Sequence, residues 1–309
     1  TGTVLSTIPY DTNEVSVWDT THQASYRELN FHIPAFRKAR TTTFDLLSNL
    51  NEIEIRCTEF DNYGRLWVGL EKGGLAVSSN GQFQHVPTTQ LKPDRILSLH
   101  HDGERLWIGT EEGLFWQTGF EINIQQSNAH ASLNDEEIWC VYRDSKDRIW
   151  VGTDHGLYQI SDQTNLSLLQ VEPLEGIWIR DILTKEDGNI WVATWGNGLF
   201  EETIEGWKQF GLHEGLVHQH VSTLMKRQNG ELWIGTDGGI SIYSPHEGIF
   251  HNETDHSVLL DPFITDIVED NNGVVWLATQ GVGLLRYDEG RWTNWSQSLD
   301  IPHQWIRSC

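Results

Sequence analysis

The sequence predicts an all-β fold: a seven-bladed β-propeller with four-stranded antiparallel blades. Three observations predict it. One stretch recurs as LWVGLEKGGL (66–75), LWIGTEEGL (106–114), IWVGTDHGL (149–157), IWVATWGNGL (190–199), LWIGTDGGI (232–240) and VWLATQGVGL (275–284), after a decayed copy, VWDTTHQAS, at 17–25. The tryptophans that anchor the copies are Trp18, Trp67, Trp107, Trp150, Trp191, Trp233 and Trp276, spaced by 49, 40, 43, 41, 42 and 43 residues. A fixed period of about 40–45 residues with strand-like units is the signature of a propeller blade. Within each period, short β-rich runs are cut by Gly, Asp and Asn, and no strong helical periodicity interrupts them.

One unit shows how each element arises. In 96–124, ILSL ends at HDGE, LWIGT at EEG and LFWQ at TG, and FEINI follows. Four such runs per period make one meandering blade. Both faces of a blade pack on neighbours, so the second strand is apolar on both sides instead of alternating. Gly113, Gly156, Gly198, Gly239 and Gly283 fall at the turn between second and third strands, where φ > 0 is needed. Small residues two places after each Trp (Gly69, Gly109, Gly152, Ala193, Gly235, Ala278) leave room for a large side chain of the adjoining blade. No helix follows any of these glycines, so none belongs to a phosphate-binding loop.

The ends and the one long spacing carry further expectations. VLSTIPYD (4–11) fits the first strand of blade one, and WIRSC (305–309) fits that pattern again, like WIRDI at 178–182 and EIRCT at 54–58. Residues 305–309 are therefore either a ring-closing strand or the start of a following module, and 1–309 reads as a single propeller domain. The chain begins at Thr1 instead of Met and reads as a processed or excised piece. The spacing of 49 marks an insertion holding FHIPAFRKARTTTF, 31–44, the one dense basic cluster (Arg37, Lys38, Arg40). It reads as a solvated loop or as a docking site for an anion or another domain.

Composition narrows the function. The net charge is -23, from 44 acidic against 21 basic residues, which opposes nucleic-acid binding and docking on an anionic membrane. No run approaches the ~18 apolar residues of a membrane span. The three cysteines, Cys57, Cys140 and Cys309, cannot form a complete internal disulfide framework. Cys57 and Cys140 take one repeat position in non-adjacent blades and should be buried free thiols.

The 15 tryptophans invite a sugar-binding reading, but seven are the repeat Trp. Burying one hides about 150–250 Å², worth at most roughly 4–6 kcal/mol, which explains them as struts. Trp139, Trp178 and Trp305 differ, because they lie on or just before first strands, which line the channel of a propeller. Aligning the first strands on their apolar positions places Arg95, Glu137, Trp178, His220 and Phe263 just before the strand, with Arg56, Trp139 and Arg180 two residues further in. Apolar Ile55, Ile96, Ile138, Ile179, Val221 and Ile264 separate the two sets, so both sets should face the channel. Aromatic faces would stack on sugar rings and Arg would fork onto carboxylates or sulfates. Pairing of Arg56 and Arg180 with Asp181, Asp266 or Glu54 in a merely hydrated channel is the structural alternative. The 14 histidines show no metal spacing, HExxH, GxSxG and CxxC are missing, and no catalytic residue, metal or cofactor is assigned.

The pattern D-x-x-G-x-[LI]-W-[IV]-G-T-x-x-G-[LI], which stands here as DNYGRLWVGLEKGGL, EDGNIWVATWGNGL and RQNGELWIGTDGGI, resembles the two-component regulator propeller repeat. The resemblance implies the sensor region of a bacterial receptor, periplasmic and joined through a membrane helix to a histidine kinase, hybrid kinase or diguanylate cyclase. It implies a carbohydrate or small anionic ligand, and a homodimer through the receptor as the partner. Relatives usually carry two propellers and a β-sandwich, whereas this chain has one propeller. A propeller lyase or hydrolase acting at the same channel mouth, and a protein-interaction scaffold, are the alternative readings.

Overall fold

The computed structural model describes residues 55–296, apart from 80–81, 88–90, 92, 94, 127–132, 134–135, 163–166, 246 and 254–261, together with 5–7, 15–17 and 307. Trp18, the basic stretch 31–44, Glu54, Trp305 and Cys309 lie outside the described residues. No helix among the described residues is long and apolar enough to cross a membrane.

The described residues form six four-stranded antiparallel blades, not seven, numbered one to six from the blade that opens at Ile55. Among the described residues the first repeat copy contributes one strand pair, Leu5–Thr7 with Val15–Val17. The reason lies in the copy itself. Every complete blade has Gly or Ala two places after its Trp, whereas Trp18 is followed by Thr20, and the copy lacks the turn glycines. In blade two the fourth strand is Gln125–Gln126, not FEINI. The carbonyls of Gly119 and Phe120 instead accept hydrogen bonds from the Arg65 guanidinium of blade one.

The inner strands of the blades are Ile55–Phe60, Ile96–His101, Ile138–Arg143, Ile179–Thr184, Val221–Lys226 and Phe263–Glu269, and each packs on the next around the axis. Trp67, Trp107, Trp150, Trp191 and Trp233 are each buried in the seam with the following blade. Trp67 packs among Ile96, Leu106 and Ile108, and Trp150 among Ile182, Ile190 and Val192. A carboxylate holds the indole in place. Asp61, Asp102 and Asp144 accept from the indole Nε1 of Trp67, Trp107 and Trp150 at 2.8, 2.7 and 2.9 Å. Their other oxygens accept the backbone N–H groups of the hairpin turn. Blades four and five have Lys185 and Arg227 at or near this Asp's place, and in blade five the Trp233 indole donates to Glu231 at 3.2 Å instead. A cation lies by the repeat Trp in all six blades, Lys185 and Arg227 included.

The turn glycines have positive φ as expected. At Gly198 (φ 76°) a Cβ would also stand 2.1 Å from the Phe210 carbonyl oxygen. Cys57 and Cys140 are free, and burial pushes the Cys57 thiol up to about 12, where it is unreactive at neutral pH.

Every inner strand carries a β-bulge at one position. Register shifts between Ile55 and Cys57, Ile96 and Ser98, Ile138 and Cys140, Ile179 and Asp181, Val221 and Thr223, and Ile264 and Asp266. The extra residues are Arg56, Leu97, Trp139, Arg180, Ser222 and Thr265. A bulged residue leaves the ladder, and its side chain is re-aimed. This places the set that holds Arg56, Trp139 and Arg180.

Two outcomes test this frame. A Cβ at Gly109 would stand 2.2 Å from Ser98 Oγ and 2.5 Å from the Ile138 carbonyl of the next blade. Gly109→Ala should therefore cost about 1–3 kcal/mol in urea unfolding, because a backbone seam must open. The second outcome concerns pH. Burial alone would raise Asp61, Asp102 and Asp144, but the indole and turn donors and nearby arginines outweigh it and hold all three below the usual range. Their contribution is present above about pH 4 and is lost as pH falls through their folded values. Asp181 and Glu59 have the opposite sign. Burial pushes both to about 7, so their contribution is full at low pH and is lost as pH rises through 7. Stability should peak near pH 4 and decline from there to about pH 7, and Asp181→Asn should flatten that declining limb. An unchanged limb in that variant removes the assignment.

Candidate functional site

Six of the eight residues singled out on the sequence converge on one open cavity at the axis, of about 230 Å³. They are Arg56 of blade one, Arg95 before blade two, Trp139 of blade three, Trp178 and Arg180 of blade four, and Phe263 of blade six. The cavity is thus built by five blades and belongs to none of them alone. Glu71, Trp195 and Arg307 complete its lining.

The aromatic groups form a continuous arc. Trp139 and Trp178 have ring centroids 5.2 Å apart, Trp178 and Trp195 5.8 Å, and Trp195 and Phe263 5.8 Å. Arg180 lies over Trp139 at 4.3 Å and near Trp195 and Trp178 at 5.6 and 5.8 Å. Arg56 and Arg95 approach the same Trp139 ring at 5.3 and 5.9 Å. A cation over an indole face is attracted by the ring quadrupole, more strongly out of water.

Charge in the cavity runs against that of the whole chain. Four arginines face one carboxylate, Glu71. Glu71 pairs with Arg56 and, at 3.0 Å, with Arg95. Burial opposes ionisation of Glu71, but Arg56, Arg95 and Arg307 outweigh it and hold the carboxyl below its usual range. Arg56 therefore pairs with Glu71, and not with Asp181 or Asp266. Asp181 is turned to the other side of the bulge, where its oxygens accept N–H from Ile182 and, in blade five, Leu224. Burial, and after it the Arg56 charge, pulls the Arg180 guanidinium down to about 10. It remains a cation at neutral pH.

Glu137 and His220 do not line the cavity. Glu137 flanks it, 3.5 Å from Arg95. His220 stacks on Trp195 (centroids 4.4 Å, planes 11° apart), and its Nδ1 hydrogen-bonds Asp237 at 2.8 Å. His218, His220 and Asp237 each offer a ligand atom within 4.8 Å of the others, and so do Glu136, Asp154 and His155. Either trio could hold a cation, though neither supplies four protein ligands, as closed structural zinc sites do.

Sequence reasoning missed Glu71 and Trp195, and the missing signal was positional. Both stand four places after a repeat Trp, where the second strand turns, as do Glu111, Asp154, Asp237 and Gln280. Reading that turn for its glycines alone hid a third ring of residues at the mouth. Arg307 occupies, in WIRSC, the place of Arg56 in EIRCT and Arg180 in WIRDI.

The family model of the two component regulator propeller matches residues 132–155 and 259–281. The chain carries repeats of that kind. No curated protein sequence matches it. Among solved structures it is similar to the extracellular domain ascribed to a hybrid two component system of B. thetaiotaomicron, with 23% identity, a TM-score of 0.66, and coverage of 84% of this chain and 36% of that one. The extracellular domain of a second such system from the same organism gives 21% identity, a TM-score of 0.66, and coverage of 82% and 34%. A catalytically inactive virginiamycin B lyase from Staphylococcus aureus, solved with quinupristin, gives 14% identity, a TM-score of 0.64, and coverage of 81% and 86%. These likenesses show a propeller fold. The chain spans about a third of the length of the two extracellular domains.

Proposed function

We propose that this chain is the ligand-reading propeller of a membrane-anchored bacterial signalling receptor. It works in the periplasm and takes a carbohydrate or small anionic metabolite at its axial cavity. One observation carries the reading: arginines and tryptophans from separate blades converge on a single concavity. Convergent polar and aromatic groups in a concave site are the default signature of ligand binding. The repeats matched by the family model, and the likeness to extracellular domains of two component systems, support a sensor over a free-standing enzyme.

The site suits signalling because a ligand there touches the inner strands of several blades at once. A ligand transmits only if it binds one arrangement more tightly than another. Binding on the axis favours whatever blade arrangement closes the Trp–Arg arc. Two receptor chains packed side by side would read that preference.

A second reading, catalysis at the same mouth, has one specific feature in its favour. Asp237 on Nδ1 orients His220 and leaves Nε2 as its basic atom, at the rim of the cavity. An oriented His–carboxylate pair is the raw material of a general base.

Thermal unfolding of the protein with a panel of neutral and acidic sugars and small carboxylates tests the sensor reading. Ligand at 100 times its Kd should add about 2.7 kcal/mol. Trp178→Ala or Arg180→Ala should remove the gain, whereas normal binding in both would move the site elsewhere. Turnover of a polysaccharide or lactone that is lost in His220→Ala would favour the enzyme instead.

A further inference from the structure

The repeat supplies its own internal control for the arginines of the cavity. In blade one the bulged arginine, Arg56, meets the carboxylate of Glu71, which stands four places after that blade's Trp. Blade four repeats the arginine at the same bulge, as Arg180, but has Trp195 where Glu71 would stand. Arg180 accordingly forms no ion pair among the described residues. Two carboxylates act on Arg180 through space without pairing with it: Asp181 accepts backbone N–H groups with both oxygens, and Asp237 accepts from His220 with Oδ2 while its buried Oδ1 has no partner. Arg180 Nε is out of solvent with no acceptor, and so are the indole Nε1 atoms of Trp139 and Trp178 beside it. Arg56 Nε is unpartnered in the same way, so what distinguishes Arg180 is the missing ion pair, and the two indole donors beside it find no acceptor either.

We propose that Arg180 is the seat of a ligand carboxylate, so that the cavity takes a small ring compound bearing one carboxylate group. This rests on the axial cavity being the ligand site. The anion would do for Arg180 what Glu71 does for Arg56, which is why a carboxylate is the group assigned. A guanidinium fork matches a carboxylate with two parallel hydrogen bonds. The indole faces of Trp139, Trp178 and Trp195 would carry an apolar ring face. At about 230 Å³ the cavity suits one ring, not an extended chain. A cation is disfavoured by four arginines against Glu71, and a neutral ring would leave Arg180 with indole faces and distant carboxylates but no ion pair.

Calorimetry at neutral pH on the whole chain decides this, with glucuronate and benzoate as probes and glucose and benzyl alcohol as their uncharged counterparts. At least one acid should bind roughly tenfold or more tightly than its neutral partner, and Arg180→Gln should abolish that preference. The stronger of the two acids distinguishes a sugar acid from an aromatic acid as the source. Trp195→Glu is the decisive variant, because it rebuilds the blade-one pair in blade four. It should raise the melting temperature of the free protein and at the same time lose acid binding, which separates occlusion of the site from misfolding. Equal binding of acid and neutral probes, or an acid preference that survives Arg180→Gln, overturns the carboxylate assignment and leaves the axial site standing. A melting temperature unchanged or lowered in Trp195→Glu overturns the claim that Arg180 lacks a partner. If none of the four probes binds the unmodified protein, the ring-carboxylate class is wrong. Failure of the wider sugar and metabolite panel as well would remove the axial site itself.

Discussion

At four of the five seams between the described blades, three pieces of chain meet over a residue with no side chain, Gly69, Gly109, Gly152 or Gly235; the seam between blades four and five has the methyl of Ala193 there. A Cβ on Gly69 would stand 2.5 Å from Cys57 Sγ and 2.7 Å from Ile96 Cγ2 of the next blade. The same crowding repeats at Gly152 with Cys140 and Ile179, and at Gly235 with Thr223 and Ile264. Interiors packed to crystal density do not yield to an extra methyl group without cost. The contact therefore fixes the residue just past the bulge on the inner strand, and fixes the neighbouring blade's Ile against it. With both ends of the bulge pinned, the one residue left over faces the axis. The cavity is a consequence of how tightly the seams close.

The opposite end of each hairpin is held by a different device. The Asp that accepts from the repeat indole also accepts the turn amides, so one carboxylate sets both the turn and the Trp rotamer. Where blades four and five drop that Asp, Lys185 and Arg227 pair with Glu201 and Glu269, and in blade five Glu231 accepts from the indole. The outer end thus conserves a purpose while changing its chemistry. The axial end keeps its geometry and lets the side chain vary, which is what a binding surface built on a repeat requires.

Much of this was legible in the sequence because the repeat Trp gives a register. Counting back eleven residues from Trp67, Trp150 and Trp191 finds Arg56, Trp139 and Arg180, and the structure brings them together. Strand alternation put these residues on the channel side, but the structural cause is the bulge, which a pattern of apolar positions does not reveal. The same bulge turns Asp181 away from Arg180, so the pairing that sequence proximity suggested does not form. The blade count was not legible, because a Trp at 18 and a first-strand pattern at 4–11 resemble a blade until Thr20 is set against the seam. Glu71 and Trp195 were hidden by their surroundings: each lies in a turn whose glycines explained it well enough.

Repetition also changes what a deviation means. In a unique fold, an arginine without a carboxylate is one oddity among many. Here the same backbone is built six times among the described residues, and blade one shows how an arginine at the bulge is neutralised. Blade four keeps the arginine and replaces the neutralising residue with an indole that helps to wall it in. Leaving a cation partly withdrawn from water without an ion pair opposes stability, and burial already pulls its pKa down. The indole faces of Trp139, Trp178 and Trp195 offset part of that cost, but a ring face offers no oxygen to the guanidinium N–H groups. The exception makes sense as a place left for a partner from outside the chain, and the difference between two blades says more about function than the resemblance among all six.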